Sequence, residues 1–496
     1  MLAQPIEHIF VLMLENRSFD HMLGWSAIDG TDAFTNTPTR IDGLTGAESN
    51  TFAGQPYTVT RFADNVMPLD PHHEFTDILC QLSGPGVKYP AGGPYPPIDN
   101  SGFVASYVAS GGAANPGEIM KCYDPGQLPV LNALAREFVV CDNWHASLPG
   151  PTWPNRLFAH GASSGGLDHS PTTLEILEWE TINHLALPSG SIFDALNAKG
   201  IKRRLYAGDD FPMVASLENL SLSDIRHYAS FAGDLTEGPF DYSYIFIEPS
   251  YDVLHDYRAG TSQHPLADVV RGEALIKATY EAIRNSSIWN SSLLIITWDE
   301  NGGFYDHAIP PAAIAPGDTT LPAKSNRNGF TFEQYGPRVP AVIVSPLIPG
   351  NRIDKRLYDH ASIPATVEAV FGLKPLTARD IQANKLSDLV TLTTPRDTPA
   401  VLPNPGSPAS ASTLMPSLAA APPPVDTTPA TRPADSADEG LLPVVLQSAV
   451  RQDIQAFPKQ KSAILARVST IKTRAQAMEY LREVQQKVRT RRAAQA

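Results

Sequence analysis

Short, unbroken apolar runs punctuate the first 393 residues of this chain: IFVLML at 9–14, FVVC at 138–141, YIFI at 244–247, LLIIT at 293–297 and VPAVIVS at 339–345. Runs of this length without polar alternation predict strands buried on both faces, as in a parallel sheet. Helical spacing lies between them, most clearly at 265–286, which leads straight into LLIIT. Strand and helix patterns in alternation predict an α/β fold. The segment 36–117 is rich in Gly, Pro, Asn and Ser and reads as a long loop excursion, of the kind that carries or covers a site.

The pattern changes at about Thr394. Eleven prolines fall between 395 and 433, interleaved with Ala, Ser and Thr, which predicts a disordered linker. Beyond it, Ile464, Val468, Ile471, Ala475, Met478, Leu481, Val484 and Val488 recur at the spacing of one helical face. The chain thus divides into a catalytic-sized unit (1–393), a linker (394–440) and a helical tail (441–496). From Arg451 onward there are eleven Lys/Arg against three Asp/Glu, so the tail is basic while the whole chain carries a formal charge of -14. That acidity argues against general nucleic-acid binding. The tail either folds back on the larger unit or makes peripheral contact with an anionic membrane.

Cys80, Cys122 and Cys141 are too few for a disulfide framework, although one pair remains open. No run is long enough to span a bilayer, and the N-terminus lacks a basic segment followed by an apolar one. The compartment is left undetermined.

Two strand ends carry the chemistry. VLMLENRSFDH (11–21) passes from an apolar run directly into Glu15 and Asn16, and LLIITWDENGGFYDH (293–307) passes into Asp299 and Glu300. Ligands of open parallel sheets collect outside the carboxyl ends of strands. Three carboxylates gathered there beside an amide repel one another unless a cation joins them, and such oxygens suit a divalent metal ion. The plainer alternative is that the acids cap helices or pair with Arg17 and Arg338.

HASLPGPTWPNRLFAHG (145–161) follows FVVC and places Pro154 two residues after Thr152, as in a helix's first turn. A threonine at or near that N-cap is either a simple cap or a nucleophile in an anion site. Ser147 is the rival hydroxyl. His73, His264, His307 and His360 stand beside acids or prolines at predicted element ends, where one or more could supply a general acid.

ENRSFDH, GPTWPNR, HP followed by Gly272-Glu273, WDENGGFYDH, RVPAVIVSP and YDHASIPATVEAVFGL, in this order, resemble the bacterial phosphoesterase family of phosphatidylcholine-type phospholipases C and the related acid phosphatase. The resemblance runs from about Ile6 to Leu373. It implies a three-layer α/β/α sandwich with a mostly parallel central sheet, alkaline-phosphatase-like, here extended by the C-terminal helical tail. It also implies that Glu15, Asn16, Asp299 and Glu300 hold a divalent metal ion of unknown identity and that Thr152 forms a phospho-enzyme. His73 and His264 match the family's active-site histidines; His307 and His360 match motif positions. Members commonly begin with a twin-arginine export signal and carry β-rich modules after the catalytic domain, and neither pattern is present here. The expected activity is metal-dependent hydrolysis of a phosphate-ester or phospholipid substrate, phospholipase C-like. An acid-phosphatase-like phosphomonoesterase and a non-catalytic scaffold that keeps the fold are the alternatives.

Overall fold

The computed structural model describes residues 6–172, 175, 187–220, 224–255, 257–318, 325–406 and 441–495. Ten strands form one sheet in the order Ile225–His227, Arg203–Ala207, Tyr244–Glu248, His8–Leu14, Ser292–Trp298, Ala341–Val344, Val139–Cys141, Arg352–Asp354, Asp29–Asp32, Pro38–Arg40. All five apolar runs are strands of this sheet. The pairings are parallel except around Ala341–Val344, which is antiparallel to both neighbours, and at the Pro38–Arg40 edge. Of the five strands with no apolar run, Ile225–His227 and Pro38–Arg40 are the sheet's two edges, and Arg203–Ala207, Arg352–Asp354 and Asp29–Asp32 are inner strands that are only partly buried. Their sequences lack the signal that full burial imposes.

Every residue of His8–Leu14, Tyr244–Glu248 and Ser292–Trp298 is buried, so side chains of both faces need cover. Ile9, Val11, Tyr244 and Phe246 share one face by register, and Phe10, Leu12, Ile245 and Ile247 share the other. Phe246 packs on His160 and Tyr244 on Phe193, which brings the Thr152–Gly161 and Ile192–Ala198 helices to the first face. Phe10 packs on Phe231, and the Phe231–Thr236, Val269–Arg284 and Pro129–Glu137 helices cover the second. The result is the expected α/β/α sandwich. The 36–117 excursion is more ordered than its composition implies: the Phe75–Ser83 and Phe103–Ala109 helices close over their own apolar cluster with Met67, Ile119 and Phe304.

Two expectations about the C-terminal part are corrected. The predicted linker begins too early, because residues up to 406 pack on the catalytic unit. Arg396 Nη2 donates to the Glu137 carbonyl at 2.8 Å, Tyr280 Oη to Pro399 O at 2.6 Å, and Leu402 is buried. The rest of the expected linker, 407–440, lies outside the described residues. The tail is three helices and not one, Leu442–Ala456, Lys461–Val468 and Arg474–Gln495. Ile464, Val468, Ile471, Met478, Leu481, Val484 and Val488 are buried in the same apolar cluster as the sheet. Arg489 Nη2 donates to Asp210 Oδ2 at 2.6 Å and Arg451 Nη1 to Ser216 O at 2.7 Å. The tail folds back on the catalytic unit because its apolar face finds cover there. No helix among the described residues is long and apolar enough to cross a membrane, and all three cysteines are free.

Candidate functional site

Register brings the two acidic strand ends together. Leu14 and Trp298 are paired residues of adjacent parallel strands, so Glu15 and Asp299 leave the sheet side by side. Backbone bonds lock the junction: Asn16 N–H donates to Asp299 Oδ1 at 2.9 Å and Arg17 N–H to Glu300 O at 2.9 Å. Asn16 holds a left-handed backbone (φ 54°), which turns its side chain back over the sheet edge. Gly302 (φ 59°) must be glycine, since a Cβ there would meet the Asn16 carbonyl oxygen at 2.3 Å.

Thr152 reaches the same point from a third strand end. Val139–Cys141 runs in the same direction as Ser292–Trp298, two places along the sheet, and the loop after it leads to the helix Thr152–Gly161. Thr152 is the first residue of that helix, with Pro151 in the cap position, so its side chain does not cap. Its hydroxyl donates instead to Asn16 Oδ1 at 3.1 Å. Asn16 Nδ2 in turn lies 3.3 Å from His73 Nε2, which lies 3.9 Å from Glu300 Oε1. Thr152, Asn16, His73 and Glu300 are therefore one connected group. The rival hydroxyl, Ser147, is occupied elsewhere: it donates to Asp359 Oδ2 at 2.9 Å and accepts from His360 N–H at 3.1 Å.

The carboxylates differ in how they are satisfied. Asp299 Oδ1 accepts N–H groups of Asn16 and Glu300, while Oδ2 accepts Arg156 Nε at 2.8 Å. Glu15 Oε1 and Oε2, Glu300 Oε1 and Asp70 Oδ1 are buried without a hydrogen-bond partner among the described residues. Burial pushes the Glu15 carboxyl well above the usual range and Asp299 adds to it, against weaker opposing pulls from Arg156 and the Ser262 hydroxyl. Burial likewise pushes Glu300 up to about 8, with His73 opposing and Asp299 reinforcing. Burial would lower the His73 imidazole, but Glu300 and Asp70 outweigh it and raise it to about 10. Charge of one sign is crowded here beyond what Arg156 and His73 offset.

His264 joins through Asp70. Its Nε2 lies 3.3 Å from Asp70 Oδ2, and its Nδ1 accepts Leu266 N–H at 3.3 Å, which assigns the neutral ring's proton to Nε2. His360 is adjacent but committed: Nδ1 accepts Trp144 Nε1–H at 3.3 Å, and Nε2–H donates to the Asp299 carbonyl at 2.5 Å. Burial lowers it to about 4, so a neutral imidazole buttresses Asp299 and neither nitrogen is free for proton transfer. His360 thus stands at the site with both ring nitrogens engaged by Trp144 and the Asp299 carbonyl.

His307 makes its contacts in a different cluster from Thr152 and Glu15. It bonds Asp20 Oδ2 at 2.7 Å through Nδ1 and faces Asp42 Oδ1 at 3.4 Å through Nε2, while Arg338 donates to Asp20 and Asp306. Asp20, Asp306 and His307 offer three ligand atoms within 4.8 Å of one another, but the Arg338 guanidinium already supplies the cation. Burial lowers the His307 imidazole, and the bonds to Asp20 and Asp42 outweigh it, raising it to about 10. Its contribution to stability is thus complete below the ordinary histidine pKa of about 6.5 and lost as pH rises toward about 10. The stability difference between wild type and His307→Gln is expected to be largest below about pH 6.5 and to shrink toward about pH 10. Urea unfolding across that range measures it, and a difference that grows with pH contradicts the assignment.

Arg156 and Asp70 were not singled out by the sequence reading. Arg156 stands one helical turn after Thr152, the spacing that puts both on one face, and that was the available signal. Asp70 lies three residues before His73 in DPHHEF.

The sequence model of the Phosphoesterase family matches residues 6–374. Non-specific phospholipase C3 of Arabidopsis thaliana is 35% identical over 423 residues, covering 81% of this chain and 76% of its own. Phospholipase C B of Mycobacterium tuberculosis is 28% identical over 450 residues, covering 81% and 80%. Among solved structures, a protein in the alkaline phosphatase superfamily from Vibrio parahaemolyticus aligns over 52% of this chain and 64% of its own, with 15% identity and a TM-score of 0.32. With the family match running across nearly the whole catalytic unit and every strand end just described, the chain belongs to the phosphoesterase family, enzymes that hydrolyse phosphoric esters.

Proposed function

We propose that this protein is a metal-dependent phosphoric-ester hydrolase of phospholipase C type, working through a phosphothreonine at Thr152. The observation that carries the reading is the Thr152–Asn16 hydrogen bond, which sets a helix-initial hydroxyl against the carboxylate-rich strand ends. The relatives named phospholipase C support the substrate class.

The residues present fit a hard divalent cation. Glu15 and Glu300 offer buried oxygens that no donor satisfies, and Asn16 Oδ1 and Asp299 lie beside them. An ion held by these four would acidify the Thr152 hydroxyl and neutralise phosphate charge. Thr152 Oγ1 attacks phosphorus in line with the ester oxygen that leaves, and the helix N-terminus faces the phosphoryl oxygens. To act as acid His264 takes up a proton at Nδ1, giving up the Leu266 N–H bond. The imidazolium beside Asp70 then passes its Nε2 proton to the departing alkoxide and ends neutral, while the proton of the Thr152 hydroxyl leaves to solvent. Water then cleaves the phosphothreonine. The tail's apolar face is already buried, its last helix packed on its first and that one on the Met213–Ser216 turn, so any peripheral membrane contact would use exposed basic residues, such as Lys472 and Arg482, and would weaken with salt.

The test is head-group release from phosphatidylcholine against turnover of an aryl phosphate monoester, after chelation and with divalent metals added back. Diester cleavage restored by metal is expected, whereas preferential monoester turnover selects the phosphomonoesterase. Glu15→Gln is the cleanest metal variant, because neither oxygen has a well-formed hydrogen bond and the nearby Ser262 hydroxyl can serve an amide as well as a carboxylate. It is expected to lose bound metal by elemental analysis and most activity while unfolding at the wild-type midpoint. Full metal content in that variant removes Glu15 from the ligand set.

A further inference from the structure

Tyr257 is a buried tyrosine that the reaction just described does not use, and it lies face to face with the candidate acid. Its ring centroid is 3.8 Å from that of His264, at an interplanar angle of 8°. Both side chains are buried, and Tyr257 sits within the fields of Glu15 and Asp70. Its backbone is left-handed (φ 65°), an uncommon state for a bulky side chain. Two backbone bonds hold it there, Tyr257 N–H to Asp252 O and Gly260 N–H to Tyr257 O, each at 3.0 Å. On its far side, the Tyr257 hydroxyl oxygen accepts Leu441 N–H at 3.2 Å. Leu441 immediately precedes the first tail helix, and Leu441 to Val450 are all buried.

We propose that Tyr257 is the positioning residue of His264, and that its hydroxyl ties the orientation of the acid to the seating of the C-terminal helices at Leu441. Three contacts then define the imidazole: Leu266 N–H at Nδ1, Asp70 at the Nε2 edge, and Tyr257 on the face. The first two leave the ring free to tilt about the line joining them. The stacked ring removes that freedom, and it does so without occupying either nitrogen, so proton uptake and release at the ring edge stay open to the protonated form. The hydroxyl anchor keeps the tyrosine from turning away. This inference rests on the proposed role of His264 as general acid.

The leaving group separates this role from a merely structural one, since an alkoxide needs a proton in the transition state and p-nitrophenolate does not. The full chain is assayed on phosphocholine esters of a diacylglycerol and of p-nitrophenol. His264→Gln is expected to slow the diacylglycerol ester by about 100-fold or more and the nitrophenyl ester by no more than about threefold. Tyr257→Leu should follow the same pattern at reduced size, about ten- to thirtyfold in kcat on the alkyl ester, with KM unchanged. Tyr257→Phe keeps the ring and loses the tie to Leu441, and a drop of about threefold confined to the alkyl ester is expected. Equal slowing of both esters by Tyr257→Leu, or slowing of neither, overturns the proposal. Should that variant fail to fold, Tyr257→Phe decides: wild-type rates on both esters overturn the tie between acid and tail. A His264→Gln protein without leaving-group dependence instead sinks the acid assignment itself, whereas dependence there and none in Tyr257→Leu rejects only the present inference.

Discussion

Thr152→Ala is expected to abolish turnover, with kcat falling by roughly four orders of magnitude or more while the protein stays folded. The hydroxyl makes one hydrogen bond, to Asn16, so its removal should cost only about 1 kcal/mol of stability. Thr152→Ser keeps the nucleophile and loses a methyl group that fixes the rotamer, and activity reduced about ten- to a hundredfold is expected. Mass spectrometry of acid-quenched wild type and serine variant should show a phosphoryl group on residue 152. Near-normal turnover in the alanine variant would return Thr152 to an ordinary helix residue. Ser147 is a poor substitute, since its hydroxyl is held by Asp359 and His360.

The second large effect is on folding as well as catalysis. Asp299→Ala strips Arg156 of its carboxylate partner inside a fully buried site and leaves the N–H groups of Asn16 and Glu300 without their acceptor. Breaking a buried pair from one side costs about 3–5 kcal/mol, because the remaining charge is uncompensated. Asp299→Ala should therefore lower the urea midpoint substantially and remove activity together. Asp299→Asn, which keeps the shape, should lose activity with a smaller fall in stability. Adding Arg156→Met to Asp299→Asn should cost less than the two changes summed, since the buried charge leaves with its partner. Strict additivity would mean that Arg156 does not depend on Asp299. Glu15→Gln and Asp299→Ala thus separate two kinds of carboxylate at one sheet edge. Glu15 lacks a well-formed protein hydrogen bond, and Asp299 ties two strand ends and the Thr152–Gly161 helix together.

Much of this architecture was written along the chain. The strands at 9–14, 244–247 and 293–297 are legible because both faces of each are buried, which forces an uninterrupted apolar run. Once they are read as parallel neighbours, Glu15-Asn16 and Asp299-Glu300 must emerge at one edge, so the candidate metal-binding side chains are visible from the sequence. Thr152 was legible for a similar local reason, a proline-marked helix start following a buried strand.

What needed the tertiary structure concerns partners far apart in sequence. His307 and His360 carry the same YDH signature, yet one lies among Asp20, Asp42 and Arg338, and the other holds the Asp299 carbonyl. Local sequence cannot state which loop a histidine will face. The tail's period was readable but its destination was not, because an apolar helical face suits a membrane and a protein core equally well. The partly exposed strands toward the two sides of the sheet gave no signal, since residues half exposed to water need no apolar run. Arg156 and Tyr257 illustrate the limit most clearly. Each matters through contacts its local sequence does not announce, Arg156 with Leu14 and Asp299, Tyr257 with His264 and Leu441, and these exist only in the folded chain.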